Sequence, residues 1–437
     1  MDAKGPTTAR PTLHTTASLV LCMLLALAFV ACGQGKEPRK VQIDNAPKAQ
    51  QTAGEDKGNK PSDAPPADAA PKTPLPEGAV ALTKPLDAQA LKDFDALQGK
   101  MRRGLFPWSE RNKRDNARLF LHAAARGASP QIVAAGLQAM AQSWTSNPKD
   151  DKRELVDEDF VKVIQARLMD KDKVVLARAM EAAPAAISGN KPDEAIIGRL
   201  AQLLADDPDP AARYAALVAV ARARNFQKRP EVTAALLKSL DDQAPYVVST
   251  AMLYTQFAAY SLDQREAFLA KATALLEHKD PGVRGRAVLF AANLAKPPER
   301  EALSARIKTM LGDEHAYVRS TAASALASLG RTESIHDLMK LLEDDARNTY
   351  TIKDFKKLSG EPGTVPHSGS SWYRVSDAAL TALKVVTLSL KDKRFEYRQV
   401  RYKTADADIA EAIKDAKRWY KTHKAALPPA AAPQKAP

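Results

Sequence analysis

Hydrophobic positions in the middle of the chain recur with a period of about 36 residues. Three columns stay in register over five copies: a leucine, a small or β-branched apolar residue seven places later, and an alanine four places after that. The leucines are Leu168, Leu204, Leu240, Leu276 and Leu311, the second column is Val175, Ala211, Val247, Val283 and Val318, and the alanines are Ala179, Ala215, Ala251, Ala287 and Ala322. This pattern predicts a stack of repeated structural units.

Each copy is predicted to contain two helices joined by a tight turn. The first helix has apolar residues at helical spacing, as in Leu303, Ile307 and Leu311. The second helix begins at Asp-Pro in two copies, at residues 209–210 and 280–281. Aspartate is a good N-cap, and proline is tolerated at the first helical position because its missing N–H would have no partner there. The alanine column predicts that a neighbouring helix approaches closely.

The second helices carry the pattern D-x-x-P-x-V-R-x-x-A-x-x-A-L, which is most complete in DPGVRGRAVLFAANL and EHAYVRSTAASALASL. This pattern resembles HEAT-like repeats, closely over about residues 160–331 and more loosely on either side. The resemblance implies an all-α fold, an α-solenoid of about seven helical hairpins over residues 88–427. It also implies a polar ladder along the turns, with individually solvated side chains as the alternative. The ladder would comprise Arg213, Arg284 and Arg319 with Asp170, Asp206, Asp242 and Asp313.

One copy is interrupted between its two helices by an insert over residues 344–373. The insert carries aromatic and basic side chains, which we take as candidate partner-binding residues: Tyr350, Phe355, Lys356, Trp372 and Tyr373. Insertions in solenoids gather on one face, and long loops are often functional. The alternative is a loop that folds its aromatic residues back over the last repeat as a cap. A closing helix is predicted over residues 406–424.

The N-terminus has the pattern of an export signal. A basic start is followed by twelve apolar residues at 19–30, too few to cross a bilayer, which needs about 20. The stretch Phe29-Val30-Ala31-Cys32 resembles the lipobox of bacterial lipoproteins, which implies removal of residues 1–31 and acylation of Cys32. An ordinary secretory signal with a chance cysteine is the alternative. Gly33 favours the outer membrane, facing the periplasm, over the inner membrane.

Proline-rich segments flank the predicted solenoid. Residues 32–87 contain charges of both signs and almost no large apolar side chains, and residues 428–437 have a similar composition. Such segments cannot bury enough apolar surface to offset the entropy lost on ordering. We therefore expect a disordered linker between the acylated cysteine and the solenoid, and a disordered tail after it.

No motif for catalysis, a metal or a cofactor accompanies the repeats. The seven histidines are scattered and form no H-E-x-x-H, and both cysteines lie within the first 32 residues. Glu277-His278 and Glu314-His315 have the reverse order of the His-Glu dipeptides that hold di-iron in the HEAT-like deoxyhypusine hydroxylases. Ser368 lacks the G-x-S-x-G context of a serine hydrolase. The sequence thus predicts a non-catalytic protein, with an enzyme accessory acting through the insert as an alternative.

The chain has 65 Lys and Arg against 52 Asp and Glu, a net charge of +13. One basic cluster near the start of the solenoid contains further candidate partner-binding residues: Arg102, Arg103, Arg111 and Arg114. Clustered positive charge attracts anionic partners, although it can also serve solubility alone. The export signal argues against nucleic acid. We predict a lipid-anchored periplasmic scaffold that binds an envelope protein, and alternatively a basic tether to a cell-wall polymer or an anionic lipid.

The lipobox interpretation predicts that Cys32→Ala abolishes metabolic labelling by a fatty-acid analogue and partitioning of the full chain into a detergent phase. Cys22→Ala is the matched control, because Cys22 lies inside the apolar run that is removed. Labelling that persists in Cys32→Ala would contradict the prediction.

Overall fold

A computed structural model describes residues 78–84, 86–102, 116–127, 129–145, 156–188, 192–223, 228–256, 264–350, 355–361, 363, 374–389 and 406–429. The predicted signal peptide, Cys32 and the linker before residue 78 lie outside the described residues, as does the end of the predicted tail. The predictions for these segments stay predictions.

The described residues form an all-α structure, as the repeat pattern predicts, with one isolated β-bridge between Arg347 and Arg374. The α-helices are α1 Ala88–Arg102, α2 Ala117–Arg126, α3 Pro130–Thr145, α4 Glu158–Arg167, α5 Lys173–Ala182, α6 Pro184–Ile187, α7 Glu194–Asp206, α8 Pro210–Val220, α9 Pro230–Ser239, α10 Pro245–Thr255, α11 Arg265–Ala274, α12 Pro281–Leu294, α13 Pro297–Thr309, α14 Ala316–Ser328, α15 Ile335–Lys340, α16 Val375–Ser389 and α17 Asp406–His423. In the described part of the chain, no helix is both long and apolar enough to cross a bilayer.

The helices pair into seven hairpins within the described residues, which confirms the predicted α-solenoid. The hairpins are α2/α3, α4/α5, α7/α8, α9/α10, α11/α12, α13/α14 and α15/α16. The second helices of these hairpins pack against one another in sequence, so that α3, α5, α8, α10, α12, α14 and α16 form a continuous row. Helix α1 packs on the first hairpin and α17 on the last.

The three sequence columns lie in the core, with one shift of register. All five leucines of the first column are buried, as are the valines and alanines of the other columns in four of the five copies. In α8 the buried alanines nearest these columns are Ala212 and Ala216, while Ala211 and Ala215 are partly exposed. The cause is a turn one residue longer, since the N-cap Asp209 follows its leucine by five residues and Asp280 follows its leucine by four.

The predicted polar ladder is present, and each arginine reaches the turn of the next hairpin. The guanidinium Nε and Nη2 atoms donate to both carboxylate oxygens: Arg213 to Asp242 at 2.6 and 2.8 Å, Arg284 to Asp313 at 3.0 and 2.9 Å, and Arg319 to Asp344 at 2.7 and 3.2 Å. Bidentate pairs of this kind are stronger and more directional than single contacts. Their half-buried setting also separates them from ordinary surface pairs, which contribute little.

The ladder also fixes each turn internally. The Nη1 atom of each arginine donates to a carbonyl of its own turn, as in Arg284 to His278 at 3.0 Å. Each aspartate accepts the amide two residues later, as in Asp313 from His315 at 2.8 Å. Two of the aspartates assigned from the sequence act otherwise, because Asp206 pairs with a lysine and Asp170 with Arg167 at the end of the preceding helix α4.

A buried carboxylate ties the residues before α1 to the first two hairpins. Asp159 is fully buried and accepts from the Thr83 amide at 2.7 Å, the Thr83 hydroxyl at 2.9 Å, the Lys84 amide at 3.2 Å and the Arg118 guanidinium at 3.0 Å. Burial alone would raise its pKa, but these hydrogen bonds outweigh it and lower the pKa of Asp159 to about 2. The contact therefore contributes its full stability at pH values above 3.8, the ordinary pKa of aspartate. This contribution is lost as the pH falls towards 2.

We expect Ala287→Leu and Ala216→Leu each to lower the free energy of unfolding by about 1 to 3 kcal/mol, because both alanines are fully buried where second helices meet. Ala215→Leu is the matched control on the same helix and should cost less, since Ala215 is partly exposed. Thermal and urea unfolding of the three variants measures this difference. Equal costs at positions 215 and 216 would contradict the shifted register.

Candidate partner-binding face

The described part of the insert lies along the N-terminal ends of the second helices. The second-helix face, as we name it, comprises Arg178, Tyr214, Tyr246, Asp280, Gly282, His315 and Tyr317. The strap, as we name the described insert residues beyond Ala346, comprises 347–350, 355–361 and 363, and it contacts this face through three of them. Tyr350 contacts α12 and α14, Phe355 contacts α8 and α10, and Glu361 contacts α5. The strap therefore runs back towards the start of the solenoid.

Tyr350 is the first anchor of the strap. Its hydroxyl donates to the Asp280 carboxylate at 2.7 Å, and its ring stacks on Tyr317 with centroids 5.7 Å apart. The ring also meets His315 edge-on at 6.0 Å. Burial, together with the hydrogen bond to Asp280, raises the pKa of Tyr350 well above its usual range. The hydroxyl therefore remains a hydrogen-bond donor at physiological pH.

A glycine makes room for the Tyr350 ring. Gly282 is the second residue of α12, and the same position holds Tyr246 in α10 and Tyr317 in α14. A Cβ at Gly282 would lie 2.0 Å from Cε1 of Tyr350, well inside contact distance. The missing side chain thus leaves a slot between two tyrosines of the row, and a third tyrosine, from the insert, fills it.

Phe355 is the second anchor and sits in an aromatic cluster. It is buried, and its ring centroid lies 4.8 Å from that of Tyr214 and 4.9 Å from that of Tyr246, both in tilted or edge-on arrangements. These are favourable geometries for aromatic pairs. Burial raises the pKa of Tyr214 to about 12. The cluster joins α8, α10 and the strap.

The third anchor is an ion pair at the end of a tight turn. The Lys357 amide donates to the Glu361 carbonyl at 2.9 Å, and Gly360 has a φ of 83°, a conformation that favours glycine. This turn brings the Glu361 carboxylate to the Arg178 guanidinium at 2.8 Å. Arg178 is buried and also pairs with Glu181 of its own helix.

The insert leaves the solenoid through a closed neck. The Val375 amide donates to the Ala346 carbonyl at 3.0 Å and the Ser376 amide to the Asp344 carbonyl at 2.9 Å. These bonds join the two ends of the insert beside the Asp344 carboxylate that completes the ladder. The last hairpin is therefore closed by its own backbone contacts, independently of the strap.

One buried arginine of α12 lacks hydrogen bonds. Arg286 is fully buried, and none of its three guanidinium nitrogens has a hydrogen-bond partner among the described residues. It follows its N-cap Asp280 by six residues, as Arg178 follows its N-cap Asp172. The two arginines thus occupy equivalent places in their helices, and only Arg178 is paired. Leaving a charged group buried without a partner is costly.

The structure separates the candidate residues predicted from the sequence into three groups. Tyr350 and Phe355 are buried against the chain's own second helices, and Lys356 of the strap is exposed. The side chain of Arg102, at the end of α1, is not described, and Trp372, Tyr373, Arg103, Arg111 and Arg114 lie outside the described residues. The roles assigned to these residues stay predictions. The capping alternative expected the insert to cover the last repeat. The described strap instead contacts helices from α5 to α14.

Polar residues considered for catalysis have structural partners where they are described. His278 accepts the Asp280 amide at 3.0 Å, and His315 is the N-cap of α14. Glu361 is paired with Arg178, while His367 and Ser368 are not described. Among the described residues, no three His, Cys, Asp or Glu side chains are grouped so that they could hold a metal ion.

Sequence reasoning missed the residues that receive the insert: Arg178, Tyr214, Tyr246, Gly282 and Tyr317. A local signal exists for part of this site, because glycine replaces tyrosine at the second position of one helix in the row. That signal indicates room for a side chain from elsewhere, but it does not identify which one.

A family model described as HEAT repeats matches residues 263–351, which include α11 to α15 and Tyr350. Among solved structures, an engineered protein from the Northeast Structural Genomics Consortium matches at 17% identity with a TM-score of 0.37, covering 77% of this chain and 96% of that chain. The search of curated proteins gives no match.

Gly282→Ala should expel the Tyr350 ring, because the added methyl group cannot share its space. We expect trypsin to cleave the strap at Lys356 and Lys357 roughly tenfold faster, the equivalent of about 1.4 kcal/mol. The matched control is Gly198→Ala in α7, where a Cβ meets nothing within 4 Å. Unchanged cleavage in Gly282→Ala would show that the slot does not hold the strap.

Proposed function

We propose that this repeat protein, whose residues 263–351 match HEAT repeats, is a non-catalytic scaffold and that it binds a partner protein through the second-helix face. Repeats that contact only their neighbours build long continuous surfaces, and binding is the usual role of such surfaces. The observation that carries the proposal is the occupation of this face by a segment that belongs to no repeat.

The chemistry of the face suits protein recognition. It presents tyrosines at Tyr214, Tyr246 and Tyr317 beside a carboxylate at Asp280 and a guanidinium at Arg178. Tyrosine and arginine are enriched in interfaces and among the residues that contribute most to binding. Asp280 is the N-cap of α12 and Arg178 lies within α5, so both hydrogen-bonding groups are held by helices and need little reorganisation when a partner binds.

We further propose that the scaffold is held at a bacterial membrane by acylated Cys32 and projects into the periplasm from the outer membrane. Support comes from the apolar run at 19–30 and the lipobox-like residues 29–32. A flexible linker of about 55 residues would have a reach of roughly 40 Å, which places the binding face away from the lipid surface.

Site-specific photo-crosslinking tests the binding face in intact cells. A benzophenone amino acid at Val174, the residue of α5 equivalent to Gly282, should give crosslinked products of higher mass, because Val174 is exposed beside Arg178 on the same face. Leu91 of α1 is the matched control, with 44% exposure against 40% for Val174. Products in equal yield from both positions, or from Leu91 alone, would contradict the proposed face.

A further inference from the structure

We propose that the strap is a built-in occupant of the second-helix face, and that the partner supplies an extended peptide segment with aromatic and acidic side chains that displaces it. This inference rests on the proposed function and adds to it the chemical class of the partner and a means of controlling its access.

The strap can leave the face without disrupting the solenoid. The backbone bonds of Ala346 and Asp344 with α16 close the neck, and α14 packs directly against α16. The ladder pair of Arg319 and Asp344 lies on the solenoid side of that neck. Among the described residues, release of Tyr350, Phe355 and Glu361 therefore leaves the neck and the ladder pair in place.

The three anchors define what a competing segment must offer. The slot at Gly282 takes an aromatic ring with a hydroxyl that donates to Asp280. The cluster of Tyr214 and Tyr246 takes a second aromatic ring. Arg178 takes a carboxylate. Within the strap these groups are five and then six residues apart, at positions 350, 355 and 361.

The strap competes as a tethered segment. Binding within one chain through a short linker has an effective concentration of about millimolar. A free peptide with the same anchors must therefore bind the intact protein more weakly than a protein whose own strap has been disabled. This difference is measurable without knowing the natural partner.

The test uses a fluorescein-labelled synthetic peptide of residues 344–363 and the purified full chain in detergent, with binding followed by fluorescence anisotropy. The strap-disabled variant carries Tyr350→Ala, Phe355→Ala and Glu361→Ala. We expect the peptide to bind this variant at least tenfold more tightly than the unmodified chain. Adding Gly282→Ala and Arg178→Ala to the disabled variant should remove the gain. Equal affinity for the disabled and unmodified chains would overturn the inference.

A milder variant guards against misfolding of the disabled one. Tyr350→Phe with Glu361→Gln keeps the packing but removes the hydroxyl and the carboxylate charge, so it should give an intermediate gain in affinity. Circular dichroism compares the melting temperatures of all variants. No gain in a mild variant that melts like the unmodified chain would also count against the strap as an occupant.

The outcome separates this inference from the proposed function. If crosslinking at Val174 succeeds but the peptide binds all chains equally, the face binds a partner and the strap does not control it. If the peptide prefers the disabled chain but position 174 gives no more products than position 91, the strap is an occupant and the scaffold role at this face is wrong.

Discussion

Close approach between successive second helices is the constraint on which the rest of this structure depends. It requires a small residue wherever two of these helices meet, and the fully buried alanines supply it: Ala179, Ala216, Ala251, Ala287 and Ala322. At this spacing an arginine of one hairpin reaches the carboxylate of the next turn with its Nε and Nη2 atoms. The apolar contact sets the distance between the helices, and the polar ladder fixes their turns at that distance. Neither would hold the repeats in register alone, since apolar packing tolerates sliding and a bidentate pair does not.

The same use of small side chains creates the site that receives the insert. Gly282 lies at a position where the helices on either side carry Tyr246 and Tyr317, so it leaves a gap between two aromatic rings. Tyr350 completes that line and at the same time bonds to the N-cap of the helix beneath it. The anchor is thus joined to the helix start that the repeat already needs. At α12 the same aspartate therefore serves both the solenoid and the strap. Elsewhere the strap makes contacts that the repeats do not require.

Much of the fold could be predicted from the sequence because it arises from local, periodic signals. Buried columns and N-caps recur at fixed intervals, so the hairpins and the ladder follow from alignment of the copies. The misassigned residues reveal the limit of this approach. Alignment on Leu204 cannot detect that the next turn is one residue longer, so it assigns Ala211, Ala215 and Asp206 one place too early. The N-cap Asp209 is the better landmark, because the phase of a helix is set where the helix begins.

The path of the insert could not be predicted in the same way. Tyr350 and Gly282 are far apart in the sequence, and no period relates them. The aromatic composition of the insert indicated that it would bury some side chains, but the choice between the last repeat and earlier ones depends on which surface has a matching gap. Only the three-dimensional arrangement brings Arg178, Tyr214 and Gly282 into one line. Complementarity between residues that are far apart in the chain produces only a weak pattern in a single sequence.

The closed neck has a consequence for how such a protein can change. Because backbone bonds at Ala346 and Asp344 close the last hairpin, a change of length or sequence beyond them leaves that closure intact. A different loop inserted between the same two ends would place other side chains beside the same helices. Specificity could then diverge between descendants of one ancestral chain while the architecture that carries it is conserved.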